Sequence, residues 1–290
     1  MKTAIVTDSN SGISQAEAQR LGVFVLPMPV IIDGHAYYEG TNLLSDQFFR
    51  ALAEHRAVST SQPSISDVTA LWEQVLSEYD ELVYIPMSSG LSSACATAMI
   101  LARDYSERVF VVDNHRISET QKSSVMDALA LREAGFTARE IQQELEDSAF
   151  DSVIYVGVET LEYLRRGGRV TSGAAAISTV LQIKPLLKIT GERLDAYAKA
   201  RGTIGCKKKL LEAIRCDVER YAEKWDIDIG AASSYRDICA AENWRETASG
   251  AFPQYSISSS PLTFSISSHV GPDAFGMALS RRLARTKGEI

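Results

Sequence analysis

Apolar residues in the first half of the chain come in short unbroken runs, separated by stretches with helical spacing. "TAIVTD" (3–8) predicts a buried strand ending in Thr7, Asp8 and Ser9. "SQAEAQRLG" (14–22) predicts a helix closed by Gly22. "VFVLPMPVIID" (23–33) reads as a second strand whose prolines suit an edge or bulge, and "GHAYYEG" as a turn. "LSDQFFRALAEH" is helical with Ser45 as its N-cap. Pro63 favours an extended Gln62, and Ser64 caps "ISDVTALWEQVLSEY", with Asp67 three residues on. "ELVYIPM" is a strand, "SSGLSS" (88–93) a turn, "ACATAMILARDY" a helix and "RVFVVDN" a strand. Two helices follow, over 120–135 and 137–149. Strands that are apolar throughout and alternate with helices indicate a parallel sheet covered on both faces.

The pattern changes near residue 150. "SVIYVGV" is a strand, "LEYLRRGGR" a short helix broken by a glycine pair, and "GAAAISTVLQI" a small-residue helix. "KPLLKITGERLDAYAKARG" predicts paired strands around "TGE". A long amphipathic helix covers 203–225, strands follow at 226–234 and 254–268, and "GPDAFGMALSRRLARTK" reads as the last helix. The expected fold class is α/β. A three-layer α/β/α N-terminal domain with a mostly parallel sheet (1–155) precedes a smaller α/β domain with a mixed sheet (156–290).

Composition narrows the function classes. The 290 residues are 45% hydrophobic and carry a net charge of −7. That charge argues against a general nucleic-acid surface, which needs a positive field. The basic clusters at Arg165, Arg166 and Arg169, at Lys207–Lys209, and at Arg281, Arg282 and Arg285 read most simply as solvated faces. Cys95, Cys206, Cys216 and Cys239 form no C-x-x-C pair and have no His at zinc spacing, so free thiols and no metal or other cofactor are expected. The longest apolar stretch, "VFVLPMPVII", is too short to span a membrane and no secretory signal opens the chain, so a cytoplasmic protein is expected.

Candidate chemistry sits at strand ends, where parallel α/β sheets bind ligands. "VSTSQPSIS" (58–66) has five hydroxyl residues in nine, and "MSSGLSSA" (87–94) repeats the theme before a helix. These serines either cap helices or, with free backbone N–H groups, cradle a carboxylate or phosphate. "GLSSA" is one residue away from the Gly-x-Ser-x-Gly elbow, so a serine hydrolase using Ser92 and His269 is the enzymatic alternative. Its triad acid is hard to place, Asp113 being the best candidate. "YLRRGGRVTSG" is a helix end, or an anion-facing or partner-docking loop. It is not a Walker loop, and no G-x-G-x-x-G appears.

"IVTDSNSG", "LGVFVLPMPVIIDGHAYYEG", "STSQPS", "SSGLSSA", "YLRRGGRV", "IKPLL" and "HVGPDAFG", in that order, resemble the DegV family over residues 4–276. The resemblance implies a two-domain protein, itself not an enzyme, that holds one long-chain fatty acid in an apolar tunnel between or beside its domains. It further implies that the acid is presented to a separate fatty-acid kinase, which makes acyl-phosphate for phospholipid synthesis. Carried over by position, Thr60 and Ser92 would bind the carboxylate with Ser61 and Ser93 nearby. His269 and Arg201 match positions near the head group, and Arg169 matches an arginine implicated in working with the kinase. A lipid sensor that meets no kinase is a further possibility. This chain departs from the family pattern at Ser93, where glycine is common, at "VDN" (112–114), and in the serine-rich turn after Asp8, which lacks the usual aspartate.

Overall fold

A computed structural model describes residues 1–176 and 183–283. The first sheet has the order β2-β1-β6-β7 and is parallel throughout: β1 Thr3–Asp8, β2 Phe24–Leu26, β6 Glu81–Ile85 and β7 Val109–Val111. Alternate side chains along these strands serve two cores. Ile5, Val83, Ile85 and Phe110 pack against Val125 and Leu129 of α5 (Glu119–Glu133) and Ile141 and Leu145 of α6 (Ala138–Asp147). Ala4, Val6, Leu82 and Tyr84 pack on the other side against Val68 and Trp72 of α3 (Ile65–Leu76) and Cys95 and Ala98 of α4 (Ala94–Ala102). This is the expected three-layer arrangement. Its remaining helix, α1 (Gln15–Leu21), is capped by Ser14 and closed by Gly22 at φ 67°.

The second predicted strand is in fact two. Pro27 interrupts the run, and β2 stays in the parallel sheet. β3 (Pro29–Ile32) joins a separate antiparallel sheet, β4-β3-β5, with β4 His35–Tyr38 and β5 Val58–Thr60. The stretch expected to be a turn therefore contains β4, with the turn itself at Asp33–Gly34, both at positive φ. α2 (Ser45–Ala53) begins at Ser45 instead of being capped by it; the Leu44 N–H donates to Gln47 Oε1 (3.0 Å).

A six-stranded mixed sheet has the order β10-β9-β8-β13-β11-β12. Its strands are β8 Ser152–Gly157, β9 Ile183–Ile189, β10 Asp195–Arg201, β11 Ile227–Ser233, β12 Ile257–Pro261 and β13 Phe275–Arg281. β9 and β10 form the predicted antiparallel pair. Between β8 and β9 lie α7 (Glu162–Gly167) and α8 (Ser172–Ala175); residues 177–182 of the small-residue helix lie outside the described residues. The outer face of the sheet packs on α9 (Gly202–Tyr221) and α10 (Ile238–Ala251) through Tyr155, Ile229, Met277, Cys206, Leu210 and Trp244.

Two expectations near the C-terminal end are overturned. Residues 264–268 are not strand but the start of α11 (Phe264–Val270), and the expected last helix contains β13. "FGMALS" alternates large and small residues, and the strand is buried on both faces, so its apolar run lacks the polar side that would distinguish it from a helix. In α11, Ser268 Oγ donates to Phe264 O (2.7 Å) and Ser267 Oγ to Leu262 O (3.2 Å), satisfying hydroxyls that would otherwise disfavour a buried helix.

Candidate functional site

The inner face of the six-stranded sheet turns toward the carboxyl ends of the parallel strands, and between them lies a cavity of about 280 Å³. Its walls are apolar: Met28, Met87 and Leu91 from the first half, and Ile154, Val156, Leu164, Ile189, Leu194 and Val270 from the second. Six residues singled out from sequence, Thr60, Ser61, Ser92, Ser93, Arg169 and His269, all line it. Arg201 does not. It ends β10, the edge strand, where it is exposed and precedes α9, so its side chain is not brought to the cavity.

The mouth is assembled from distant segments. His269 Nε2 pairs with Thr60 Oγ1 at 2.8 Å, joining α11 to the end of β5. α11 is placed by Glu39, whose Oε2 accepts the Phe264 N–H (2.8 Å), and by Phe264 stacked on Phe48 (4.5 Å). Burial pushes the Glu39 carboxyl up to about 7. Burial, with the nearby Arg169 cation, pushes the His269 imidazole down to about 4, so the ring is neutral near pH 7. Nδ1 of that ring has no hydrogen-bond partner among the described residues.

The "RRGGR" turn is explained by this ring. A Cβ on Gly167 would fall well inside contact distance of His269 Nδ1 and 2.9 Å from Cε1. Gly168 then takes the left-handed conformation (φ 69°) that ends α7, and Arg169 follows. Arg169 Nε donates to Leu91 O (3.2 Å), and Nη1 to Gly167 O. With donors committed to two carbonyls, Arg169 offers charge to the mouth more than a bidentate fork.

The four hydroxyls are not equivalent. Ser61 Oγ donates to Gln62 O (2.8 Å), and Ser93 Oγ to Gln62 Oε1 (3.0 Å), which also accepts from Thr97. Ser92 Oγ instead accepts from the Ala94 N–H (3.2 Å), leaving its own proton for a ligand. Thr60 keeps its proton when the neutral His269 carries hydrogen on Nε2. That tautomer leaves only an acceptor, not a donor, unpaired at Nδ1. Thr60 and Ser92 are therefore the two hydroxyls free to donate.

The loop after β6 is held from below. Asp8 is fully buried and accepts from the Met87 N–H (2.7 Å), the Asn10 N–H (2.9 Å) and Gln121 Nε2 (3.2 Å). Desolvation raises its carboxyl to about 6 against those bonds. Ser88 Oγ donates to Gly191 O, tying the serine loop to the β9–β10 turn.

No hydrolytic triad is assembled. His269 is bonded to Thr60, not to Ser92; Nδ1, where a triad acid would sit, is unpartnered among the described residues; and Asp113 lies beside His115 at 3.9 Å. Among the described residues there is no His/Cys/Asp/Glu group that could hold a metal, and no helix long and apolar enough to cross a membrane. Sequence reasoning missed Asn10, Glu119 and Ser265, which also line the cavity. Only Asn10, in the turn after the first strand, stood where a strand-end rule could have found it.

Comparison with known proteins places this geometry. A family model described as "Uncharacterised protein, DegV family" matches residues 2–282. A DegV domain-containing protein of Deinococcus radiodurans is 30% identical, covering 96% of this chain and 98% of its own. A Streptomyces coelicolor relative of the same description has the same identity and coverage. The solved structure described as fatty acid binding of a DegV family protein from Thermus thermophilus superposes with a TM-score of 0.86 at 30% identity, covering 97% of this chain and all of that one. A fatty acid binding DegV family protein from Streptococcus agalactiae gives 0.84 at 26%, covering 98% and 100%.

Proposed function

The chain belongs to the DegV family. From that premise, and from the geometry of the cavity, we propose that it binds one long-chain fatty acid and presents the carboxylate to a separate fatty-acid kinase. The observation that carries the proposal is an apolar cavity whose mouth is lined by neutral hydroxyls, with two of them free to donate. Each buried methylene contributes up to ~0.8 kcal/mol, so a tail of about sixteen carbons supplies on the order of 10 kcal/mol before ordering costs. The carboxylate needs donors, because an unpaired buried charge is heavily penalised. Thr60 and Ser92 supply them, and Arg169 adds positive charge from its tethered position.

Neutral donors suit a carrier. They satisfy the head group without locking both oxygens in an ion pair, so one oxygen stays available as the nucleophile toward a nucleotide's terminal phosphate on the kinase. In this reading the halves 1–155 and 156–290 hold the lipid between them, Arg169 assists the kinase, and the pair works in the cytoplasm, where ATP is supplied. Ser61 and Ser93, bonded to Gln62, shape the mouth.

Native mass spectrometry of the protein incubated with palmitic acid tests the reading, with one acyl chain per protomer expected. Thr60→Ala and Ser92→Ala should each weaken retention by about tenfold, the scale of one hydrogen bond to a charged group. Arg169→Ala should retain lipid while lowering acyl-phosphate formation by the kinase. Protein that stays lipid-free at saturating palmitate would end the proposal. Loaded protein whose bound acid no fatty-acid kinase can convert to acyl-phosphate would leave a lipid sensor.

A further inference from the structure

One polar group on the cavity wall lies away from the mouth and is not used by the carrier chemistry. Glu119 is the first residue of α5 and only 5% exposed, yet it lines the cavity. Its Oε2 accepts from Ser258 Oγ (2.6 Å) and its Oε1 from Ser260 Oγ, both on β12. Gly230 makes room for it, since a Cβ there would stand 2.7 Å from the Glu119 Cβ and Cγ.

Sheet order locates it. The serine loop and Arg169 meet the sheet at the turn after β9, where Ser88 Oγ donates to Gly191 O and Arg169 O accepts the Leu194 N–H. Gly230 lies on β11, three strands across from β9, roughly 14 Å at the usual strand spacing. Glu119 sits over Gly230 and so lies across the sheet from that turn. Ser118 beside it also lines the cavity, and its hydroxyl makes no capping bond. Ser265 lines it one helical turn before His269 on α11. Ser118, Glu119 and Ser265 thus add polar groups to a lining that away from the mouth is otherwise mainly Leu, Ile, Val and Met.

A tunnel meant only for a methyl-ended tail has no use for a carboxyl group on its wall away from the mouth, because burying one carries a desolvation cost that an apolar residue avoids. We propose that Glu119 is a specificity-determining residue that accepts a hydroxyl at or near the far end of the bound acid, so that the preferred ligand is a hydroxylated acyl chain. This rests on the carrier reading above. Burial raises the Glu119 pKa, with the two serine bonds and Lys122 opposing. In either protonation state its oxygens can accept from an alcohol. The bland alternative is that Glu119 only ties α5 to β12.

Competition measured by native mass spectrometry separates the two. Pairs of methyl-ended and ω-hydroxy acids, from lauric to stearic length, are offered to wild type, Glu119→Gln and Glu119→Leu. At the length that fits, wild type should bind the ω-hydroxy acid at least as well as its twin. Glu119→Gln should keep that ratio, and Glu119→Leu should shift it about tenfold or more toward the methyl-ended acid. An equal loss of both acids in Glu119→Leu would assign Glu119 a structural role and overturn the inference. So would a wild type that rejects the ω-hydroxy acid by about a hundredfold at every length, as a wholly apolar tunnel does. The wild-type ratio stands as a test even if Glu119→Leu fails to fold. Failure of every acid to bind, methyl-ended ones included, would overturn the carrier reading and this inference with it.

Discussion

Replacing Gly167 by alanine should destabilise the protein, although glycine-to-alanine changes near helix ends commonly do the reverse. Gly167 is the last residue of α7, and Gly168, not Gly167, takes the left-handed conformation there. On helix propensity alone the change would stabilise by up to about 1 kcal/mol. The added methyl, however, lands 2.9 Å from His269 Cε1 and closer still to Nδ1. An ordinary carbon contact needs about 3.5 Å or more, so the ring or the helix must move by over half an ångström. Overpacking of this kind costs about 1–3 kcal/mol. A ring pushed out of place also loses the 2.8 Å bond to Thr60, and breaking a buried hydrogen bond costs about 1–3 kcal/mol more. The penalties exceed the propensity gain, and a net loss of about 1–5 kcal/mol follows. Urea denaturation of wild type and Gly167→Ala measures it, and palmitate retention should fall in parallel because Thr60 loses its orienting partner. An unchanged or raised denaturation midpoint with normal retention would refute the claim that Gly167 exists to admit His269.

The His269 imidazole is held near 4 in the folded protein against about 6.5 unfolded. Between those values the unfolded chain binds the extra proton, so this contribution to stability is intact above pH 6.5 and is lost as pH falls toward 4. The stability difference between wild type and His269→Asn should therefore shrink by about 3 kcal/mol over that range; a flat difference would mean the imidazole is not buried neutral. Thiol reagents should modify Cys216 and Cys239, which are exposed, while Cys95 and Cys206 react only on unfolding, being buried with thiol pKa values pushed up by desolvation. Labelling of four thiols in the native protein would contradict the core assignment.

The parallel sheet was legible because β1, β6 and β7 are short, largely apolar runs buried on both faces, as covered parallel strands require; β1 and β6 also stop at hydroxyl-rich turns. The loop at 87–94 was legible for the same reason, since strand ends in such sheets are where ligands bind; the loop at 58–66 follows β5 of the antiparallel sheet and stood out only by its hydroxyl content. Other features depend on tertiary context. α10 went unread because only Trp244 and Ala248 of its fourteen residues are buried, too few to imprint a period. β13 reads as helix in sequence because its polar face is missing: Gly276 and Ala278 line the cavity, and Phe275, Met277 and Leu279 pack with α9 and α10. Arg201 was placed near the head group by its position in "KARG", but the edge position of β10 turns it to solvent. Glu119 could not be anticipated, because a buried carboxyl one residue inside a helix looks in sequence like an ordinary first-turn acid.

The pairing of Thr60 with His269 spans 209 residues and joins the antiparallel sheet to a helix between β12 and β13 of the six-stranded one. Neither partner has a function without the other: unpaired, Thr60 can rotate, and the imidazole is buried with both nitrogens unsatisfied. The proposed head-group site is thus a property of this tertiary pairing and not of any one loop. The cavity walls likewise come from both halves, which are also joined directly by Ser88 to Gly191 and by Ser123 to Asp228. A ligand that binds only the native arrangement stabilises it by mass action, by about 2.7 kcal/mol at a hundred times its Kd. Under the proposed function a bound tail would bridge both sets of walls and add to the contacts already made between the sheets. Lipid affinity and the integrity of the mouth are then coupled: a change that loosens the Thr60–His269 bond should weaken lipid retention, even where no atom of the changed residue touches the ligand.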